Sequence, residues 1–315
     1  MLQGHHHSNG SAAAAAAATN GGVKVDDSAT AATAAPSLRR VCLELQDKVE
    51  TFLAEDVDTK ILKSVQAQVK EAVGVIDEAL DRYSIEELSL SYNGGKDCLV
   101  LLVLILACLP RHFEPTPASA ATVSTSFHNG TTVHAHSQPP PNTPLASTPR
   151  ATTPSPFPES LQSVYIVSPH PFAEVDEFVE SSTVKFHLDL CRYALPMREA
   201  LEAYLKDKPR LKAVFVGTRR TDPHGAQLTH FDKTDEGWPA FVRVHPVIDW
   251  HYTEIWAFIR HLQIPYISLY DQGYTSLGGT QDTYPNPKLK KGDDAEGFRP
   301  AYELIEDDEE RLGRD

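Results

Sequence analysis

One glycine turn of this chain has a lysine and an aspartate directly behind it: Ser91-Tyr92-Asn93-Gly94-Gly95-Lys96-Asp97-Cys98. Residues 85–92, which lead into the turn, carry apolar side chains in the alternation typical of a strand. Residues 99–109, which follow it, are all apolar and predict a buried helix. A strand, a glycine turn and a helix in this order begin a βαβ unit, so the segment predicts a parallel sheet.

The turn also has the chemistry of an anion site. Gly94 and Gly95 let backbone N–H groups face an anion without an intervening side chain, and the helix that follows points its positive end at the same place. Lys96 adds a full positive charge, and Asp97 could cap the helix or hold Mg²⁺. An ordinary solvated turn would explain Asn-Gly-Gly alone. The position between a strand and a buried helix favours phosphate binding.

The rest of the sequence alternates helical and strand patterns. Helical periodicity covers residues 38–83, 175–190, 196–205 and 252–262, and short apolar runs predict strands at 164–167 and 213–216. This alternation predicts an α/β fold, a doubly wound and mostly parallel sheet with helices on both faces.

Two segments differ in composition from the rest. Residues 1–36 are rich in Gly, Ala, Ser and Asn, and residues 114–159 are rich in Pro, Thr, Ser and His. We expect a disordered tail at 1–36 and a disordered insertion at 114–159 within a single nucleotide-binding catalytic domain, 37–315. The tract His5-His6-His7 could bind a metal, but the composition favours a solvated tail.

Charge, cysteines and hydropathy narrow the function classes. The formal net charge of −14 argues against nucleic acid or an anionic membrane as the main partner. The four cysteines include no C-x-x-C pair, so a zinc knuckle is not expected. No secretory signal is visible, and the longest apolar run has eleven residues where a membrane span needs about 20. These features predict a cytoplasmic protein.

A second polar segment follows the strand predicted at 213–216: Gly217-Thr218-Arg219-Arg220-Thr221-Asp222-Pro223. Gly217 permits close backbone approach. Arg219 and Arg220 supply planar donors suited to phosphate oxygens. Asp222 is placed for a metal or ribose contact at the carboxyl end of a strand. The alternative is a surface turn with a salt bridge.

The glycine turn resembles the PP-loop, S-G-G-K-D-S in its common form, of the adenine-nucleotide α-hydrolase and PAPS-reductase-like superfamily, with Asn93 and Cys98 in place of its two serines. The variant Tyr-Asn-Gly-Gly-Lys-Asp-Cys resembles the eukaryotic FAD synthases of the fungal type. Later segments resemble that family too, including residues 269–278 and 300–314. The resemblance covers about residues 38–113 and 160–315. It implies a PP-loop ATPase-like fold and an enzyme that adenylylates FMN with ATP and Mg²⁺.

The resemblance also implies roles for individual residues. Those expected at the reacting groups are Asn93, Lys96, Asp97, Asp222, Arg311 and Arg314, with Mg²⁺ at Asp97 and Asp222. Those expected to bind substrate are Ser91, Tyr92, Gly94, Gly95, Gly217, Arg219, Arg220, Asp235 and Trp238. Asp235 would accept from a flavin ring N–H while Trp238 covers the ring, although an N-cap fits Asp235 equally well. Arg311 and Arg314 would share one helical face, unless they belong to a solvated terminal charge run.

The expected reaction is attack by an FMN phosphate oxygen on the α-phosphorus of ATP, giving FAD and pyrophosphate, with client flavoproteins as further partners. A PAPS reductase requires a nucleophilic cysteine near the C-terminus, and no cysteine follows Cys191. A tRNA thiolase is disfavoured by the absent C-x-x-C and the acidic balance. The alternative from a different functional class is a non-catalytic flavin or nucleotide sensor.

Overall fold

The computed structural model describes residues 36–113, 156–292 and 296–315, and Pro36–Asp315 form one compact unit. Nearly all of the tail predicted at 1–36 and of the insertion predicted at 114–159 lies outside the described residues, so both stay predictions. Six α-helices occur in the described residues: α1 (Leu38–Ala54), α2 (Lys60–Arg82), α3 (Lys96–Phe113), α4 (Ala173–Lys185), α5 (Met197–Asp207) and α6 (Tyr252–His261).

The described strands form one sheet. They are β1 (Leu88–Ser91), β2 (Leu161–Ile166), β3 (Leu188–Tyr193), β4 (Ala213–Phe215), β5 (Phe231–Lys233) and β6 (Val242–Val244), and their order in the sheet is β3-β2-β1-β4-β6-β5. All neighbouring pairs are parallel except β5 with β6. Because β1 pairs with β2 on one side and β4 on the other, the connections reverse direction at β1. The predicted doubly wound, mostly parallel sheet is confirmed.

Helices cover both faces of this sheet. Leu88 and Leu90 of β1 join the larger core, in which α3 is buried and packs against α1 and α2. Ser89 points the other way, and its hydroxyl lies 2.6 Å from that of Tyr204 on α5. Val214 of β4 and Tyr204 belong to the smaller core on that face. None of the described helices combines the length and the apolar character that a membrane span requires.

Local backbone geometry shifts several predicted boundaries. The strand expected from residue 85 begins at Leu88, because Ile85–Glu87 form a 3-10 turn. In this turn the N–H of Glu87 donates to the carbonyl of Ser84 at 2.9 Å, and the N–H of Ser84 donates to the carboxylate of Glu87 at 3.1 Å. The helix expected to reach residue 190 ends at Lys185. His187 then adopts a left-handed conformation, φ 52°, and β3 begins at once. The short strands β5 and β6 were not predicted.

Candidate active site

A cavity of about 970 Å³ opens at the carboxyl ends of β1 and β4. This is the point where the sheet connections reverse, and ligands of open α/β sheets bind at such points. Polar and charged side chains from five parts of the chain line it: Ser91, Asn93, Lys96, Asp97, Ser168, Asp222, Ser276, Glu310, Arg311 and Arg314. Its far wall is mostly apolar, with Ile166, Val167, Leu195 and Met197.

The turn after β1 is shaped by Asn93. Its Oδ1 accepts from the N–H of Gly95 at 2.9 Å and from the thiol of Cys98 at 2.9 Å. Gly94 has φ 75°, which favours glycine. The N–H of Lys96 donates to the hydroxyl of Tyr270 at 3.0 Å. Burial raises the pKa of the Cys98 thiol to about 12, so this cysteine is a hydrogen-bond donor and not a nucleophile.

The loop after β4 packs directly on the first turn of α3. A Cβ at Gly217 would lie 2.9 Å from the backbone nitrogen of Cys98, so only glycine fits there. The carboxylate of Asp222 accepts from the N–H of Arg219 at 2.8 Å, which closes this loop. The two loops thus bring Asp97 and Asp222 to the same cavity.

The charged groups beneath the cavity form one buried network around Arg219, whose side chain is 0% exposed. Its Nε lies 2.9 Å from Asp97 Oδ1, its Nη2 lies 3.6 Å from Asp222 Oδ1, and Nη2 also pairs with Glu310. Lys96 Nζ lies 3.0 Å from Asp97 Oδ2 and also pairs with Glu310. Arg219 Nη1 also lies 3.7 Å from Asp307 Oδ1. Two cations and four carboxylates are therefore held together in a mostly buried cluster.

The network shifts the pKa values of Asp97 and Asp222 in opposite directions. Burial alone would raise the pKa of Asp97, but Arg219 and Lys96 hold it below its usual range. Burial raises the pKa of Asp222, because Arg219 offsets the desolvation only in part. The pKa of Lys96 is raised: burial opposes this, and Asp97 and Glu310 outweigh it. Asp222 is thus the carboxylate that would gain most from a further cation.

A C-terminal segment closes the cavity. Residues 310–314 form turns after the 3-10 helix Asp307–Glu309, so Arg311 and Arg314 do not share the helical face that their spacing predicted. Both nonetheless line the cavity. Thr275 donates to the carbonyl of Glu310 at 2.6 Å, and Asn286 donates to the carbonyl of Glu309 at 2.7 Å.

Comparison with known proteins gives the family of this chain. The family model of the phosphoadenosine phosphosulfate reductase domain matches residues 87–285. A Schizosaccharomyces pombe protein described as a probable FAD synthase is 34% identical over 267 residues, which cover 84% of this chain and 86% of that protein. The chain belongs to the FAD synthase family.

Two solved structures of Candida glabrata FMN adenylyltransferase have the same fold as this FAD synthase family member. One, in complex with FAD and inorganic pyrophosphate, is 27% identical with a TM-score of 0.72, covering 88% of this chain and 99% of that chain. The other, in complex with FMN and the ATP analogue AMPCPP, is 25% identical with a TM-score of 0.72, covering 89% of this chain and 100% of that chain. The resemblance stated from the sequence is confirmed at the level of family and fold.

In this FAD synthase fold, most of the predicted site residues meet at one place. Those that line the cavity are Ser91, Asn93, Gly95, Lys96, Asp97, Gly217, Asp222, Arg311 and Arg314. Gly94 lies in the same turn. Tyr92 is buried behind it and donates to the hydroxyl of Ser182 at 2.8 Å, so it supports the turn from inside.

Arg219 and Arg220, which follow β4, do not lie where the sequence predicted them. Arg219 is wholly buried among carboxylates and does not line the cavity, so it holds Asp97 and Asp222 in position. The Nε of Arg220 donates to Asp249 at 2.5 Å, and its Nη1 donates to the carbonyl of Leu228 at 3.0 Å. The sequence pattern could not separate these roles, because adjacent residues of a loop point in different directions.

Asp235 and Trp238 do not line the cavity. They lie on the loop between β5 and β6, where the Asp235 side chain is 72% exposed and lies 3.3 Å from Arg243 Nη2. Trp238 is 42% exposed. A turn and not a helix follows Asp235, so the N-cap alternative is wrong. The flavin role stays a prediction.

Sequence reasoning missed Glu310. It stands at the end of an acidic run that has the appearance of a solvated surface, yet its side chain is only 7% exposed and pairs with both Lys96 and Arg219. Its position directly before Arg311 was the available signal, because the family resemblance already assigned that arginine to the site. Tyr270 was missed as well, since its hydroxyl acts on the backbone of the glycine turn.

Proposed function

We propose that this chain transfers the AMP half of ATP to FMN, giving FAD and pyrophosphate. One observation carries the proposal: the loops after β1 and β4 converge on a single cavity where the cations Lys96, Arg311 and Arg314 stand beside the carboxylates Asp97 and Asp222. Membership of the FAD synthase family supports it, as do the relatives' complexes with FAD and pyrophosphate and with FMN and an ATP analogue.

The triphosphate is assigned to the glycine turn. Lys96, Asp97 and Cys98 begin α3, and the first N–H groups of a helix have no partner within the helix. The N–H of Lys96 already donates to Tyr270, so the N–H groups of Asp97 and Cys98 and the positive end of α3 are assigned to phosphate oxygens at the mouth of the turn. The apolar wall beyond, at the ends of β2 and β3, includes Val167 and Leu195 and suits a planar base.

Arg311 and Arg314 are assigned to the charge that moves during transfer. Within the described residues Arg311 has no ion pair, and Arg314 has only long contacts, 3.5 Å to Ser276 Oγ and 3.8 Å to Asp282 Oδ2. Both guanidinium groups are therefore available to phosphate oxygens. Lys96 is more constrained, since Asp97 and Glu310 already hold its ammonium group.

The reaction needs positioning and charge neutralisation more than a protein nucleophile. An FMN phosphate oxygen forms a bond to the α-phosphorus of ATP, the bond from that phosphorus to the bridging oxygen breaks, and pyrophosphate leaves with it. The attacking phosphate is largely ionised near neutral pH, so no general base is required. The arginines offset charge on the α-phosphate, and the glycine turn holds the departing pyrophosphate.

Asp97 and Asp222 fit a Mg²⁺ ion. Asp97 Oδ1 is buried and receives no hydrogen bond from any described residue, although Arg219 Nε lies 2.9 Å away as an ion pair. Asp222 is the carboxylate with the raised pKa. One or two carboxylates together with substrate phosphates are a common Mg²⁺ environment. When bound, the ion would neutralise charge on the phosphate oxygens.

The finer assignment of the flavin contacts rests on the family resemblance. We assign Asp235 to the isoalloxazine ring and Trp238 to its face, which requires their loop to approach the cavity when FMN binds. A cytoplasmic location and delivery of FAD to client flavoproteins complete the proposal.

The proposal is tested by incubating the full chain with FMN, ATP and Mg²⁺ and separating the flavins by chromatography. We expect FAD to appear with release of an equal amount of pyrophosphate, and Asp222→Asn to lower the rate at least ~100-fold, the loss typical of a charge-stabilising group. Binding of FMN and ATP without any FAD would instead indicate a sensor.

A further inference from the structure

Three polar side chains outside the cavity approach one another near Arg220 of the loop 217–223. Glu71 of α2, His230 just before β5 and Asp249 after β6 each offer one ligand atom, and these atoms all lie within 4.8 Å of one another. The three residues come from elements that are distant in the sequence. Nothing in the proposed adenylyl transfer uses them.

The ring of His230 is oriented by a contact outside the group. Its Nδ1 lies 3.1 Å from the carbonyl oxygen of His245. A carbonyl only accepts, so Nδ1 carries the hydrogen and Nε2 is the atom that faces Glu71 Oε1, at 3.3 Å. Nε2 of His230 and Oε1 of Glu71 are thus the two atoms between which a bound cation would lie. Metal-binding histidines are commonly fixed in this way through their other nitrogen.

The separation of the His230 and Glu71 ligand atoms suits a small ion. Two ligand atoms that each lie about 2.0–2.1 Å from a tetrahedral Zn²⁺ are roughly 3.3 Å apart, and Nε2 of His230 and Oε1 of Glu71 are 3.3 Å apart. Asp249 Oδ1 already accepts from Arg220, which fixes the carboxylate and leaves Oδ2 for a ligand bond. Side-chain exposures of 31% for His230, 52% for Glu71 and 38% for Asp249 leave room for water.

We propose that Glu71, His230 and Asp249 form a binding site for a divalent transition-metal ion of the Zn²⁺ type, with water in the fourth position. One imidazole and two carboxylates favour such an ion over Mg²⁺, which prefers oxygen ligands alone. The bound ion would link α2 to the β5–β6 edge of the sheet. The site does not depend on the proposed adenylyl transfer.

The test uses the full chain in the absence of ATP and FMN. His5, His6 and His7 are first replaced by alanine, since that tract could bind metal by itself. Zn²⁺ is then titrated by calorimetry, and Co²⁺ is used to obtain the absorption spectrum of the site. We expect one Zn²⁺ per chain. We also expect a rise in the melting temperature with the metal.

Two substitutions and a matched control decide the assignment. His230→Asn keeps a donor for the His245 carbonyl and removes Nε2, and Glu71→Gln keeps the shape of that side chain. Each should weaken Zn²⁺ binding at least about tenfold without changing the melting temperature of the metal-free protein. His261 also faces one carboxylate, Glu55, at 2.7 Å, and His261→Asn should leave the affinity unchanged.

Absence of Zn²⁺ binding in the background without His5, His6 and His7 would overturn the proposal. So would an equal loss of affinity in His230→Asn and His261→Asn, because any surface histidine would then account for the binding.

Discussion

Arg219 and Arg220 are neighbours in the sequence with opposite environments. Arg219 has a wholly buried guanidinium, and Asp97, Glu310 and Asp222 surround it. Arg220 is partly exposed and pairs with Asp249 at the surface. Desolvation makes a buried charge costly, and the carboxylates around Arg219 together compensate the charge of its guanidinium group.

Replacing Arg219 with Met should therefore lower the free energy of unfolding by about 3–5 kcal/mol, the usual cost of removing one partner from a buried ion pair. Urea denaturation at pH 7 measures this. Arg220→Met is the matched control and should change stability little, since surface pairs contribute weakly. Equal losses in the two variants would show that the network around Arg219 has no special role.

The opposite pKa shifts of Asp97 and Asp222 give a pH-dependent prediction for the metal-free protein. Asp97 has a lowered pKa, so its ionised form stabilises the fold above the usual value of about 3.9 and loses this effect as the pH falls through the folded value. Asp222 has a raised pKa, so its neutral form is favoured below about 3.9 and that advantage is gone once the pH exceeds the folded value.

At pH 7, Asp97→Asn should consequently lower the melting temperature and Asp222→Asn should raise it. Both differences from the unsubstituted chain should shrink in acid, where the carboxylates become protonated. Thermal melts followed by circular dichroism from pH 7 downward measure this. A decrease in both variants at pH 7 would contradict the assigned shifts.

At the scale of elements, the C-terminal segment has no α-helix of its own and is held by buried side chains and by backbone hydrogen bonds with residues 282–284. Asn286 is fully buried and donates to Thr275 Oγ1 at 2.9 Å and to the carbonyl of Glu309 at 2.7 Å. Thr275 in turn donates to the carbonyl of Glu310. These bonds fix the backbone that carries Glu310, Arg311 and Arg314 into the cavity.

Asn286→Ala should loosen this segment and lower kcat/KM for FAD synthesis by about tenfold, since a loss of transition-state stabilisation of about 1.4 kcal/mol corresponds to that factor. Hydrogen exchange should increase in residues 304–315 and stay unchanged in β1. Lys288→Ala removes an exposed ion pair to Glu309 from the same loop and serves as the control. Unchanged kinetics in Asn286→Ala would separate the segment from the reaction.

The elements that the sequence predicted are those with a strong local signal. α3 is a continuous apolar run after a glycine turn, and it forms as expected. β3 was hidden because Asp189 and Arg192 interrupt its apolar pattern, while six paired positions with β2 determine its conformation. β5 contains Asp232 and Lys233 and is an edge strand that only its antiparallel pairing with β6 defines. Such pairings join distant residues, which local patterns do not reveal.

At the scale of the molecule, the predicted insertion leaves the domain at a place that can be closed. The rings of Phe113, at the end of α3, and Phe157, just before β2, have centroids 5.9 Å apart. Replacing residues 116–156 with a short Gly/Ser linker should therefore leave FAD synthesis and the melting temperature nearly unchanged. A large loss of either would show that the insertion supports the fold or the site.

The location of the site was predictable at this scale, while its inner network was not. The loops after β1 and β4 follow strands, and parallel strands bring their carboxyl ends to one edge. The burial of Arg219 and its pairing with Glu310 join residues 91 positions apart, and charge patterns along the chain do not report such contacts. The side chains that line the cavity were thus easier to predict than those that hold them.

The fate of the α-phosphorus of ATP tests most directly whether this chain transfers AMP to FMN. Full-length protein is incubated with FMN, Mg²⁺ and ATP labelled at the α-phosphorus, and the flavin and phosphate products are separated. If AMP is transferred to FMN, the label enters FAD in a one-to-one ratio with the pyrophosphate released. Label that stays in ATP, or that appears in AMP while FMN is unchanged, would contradict it.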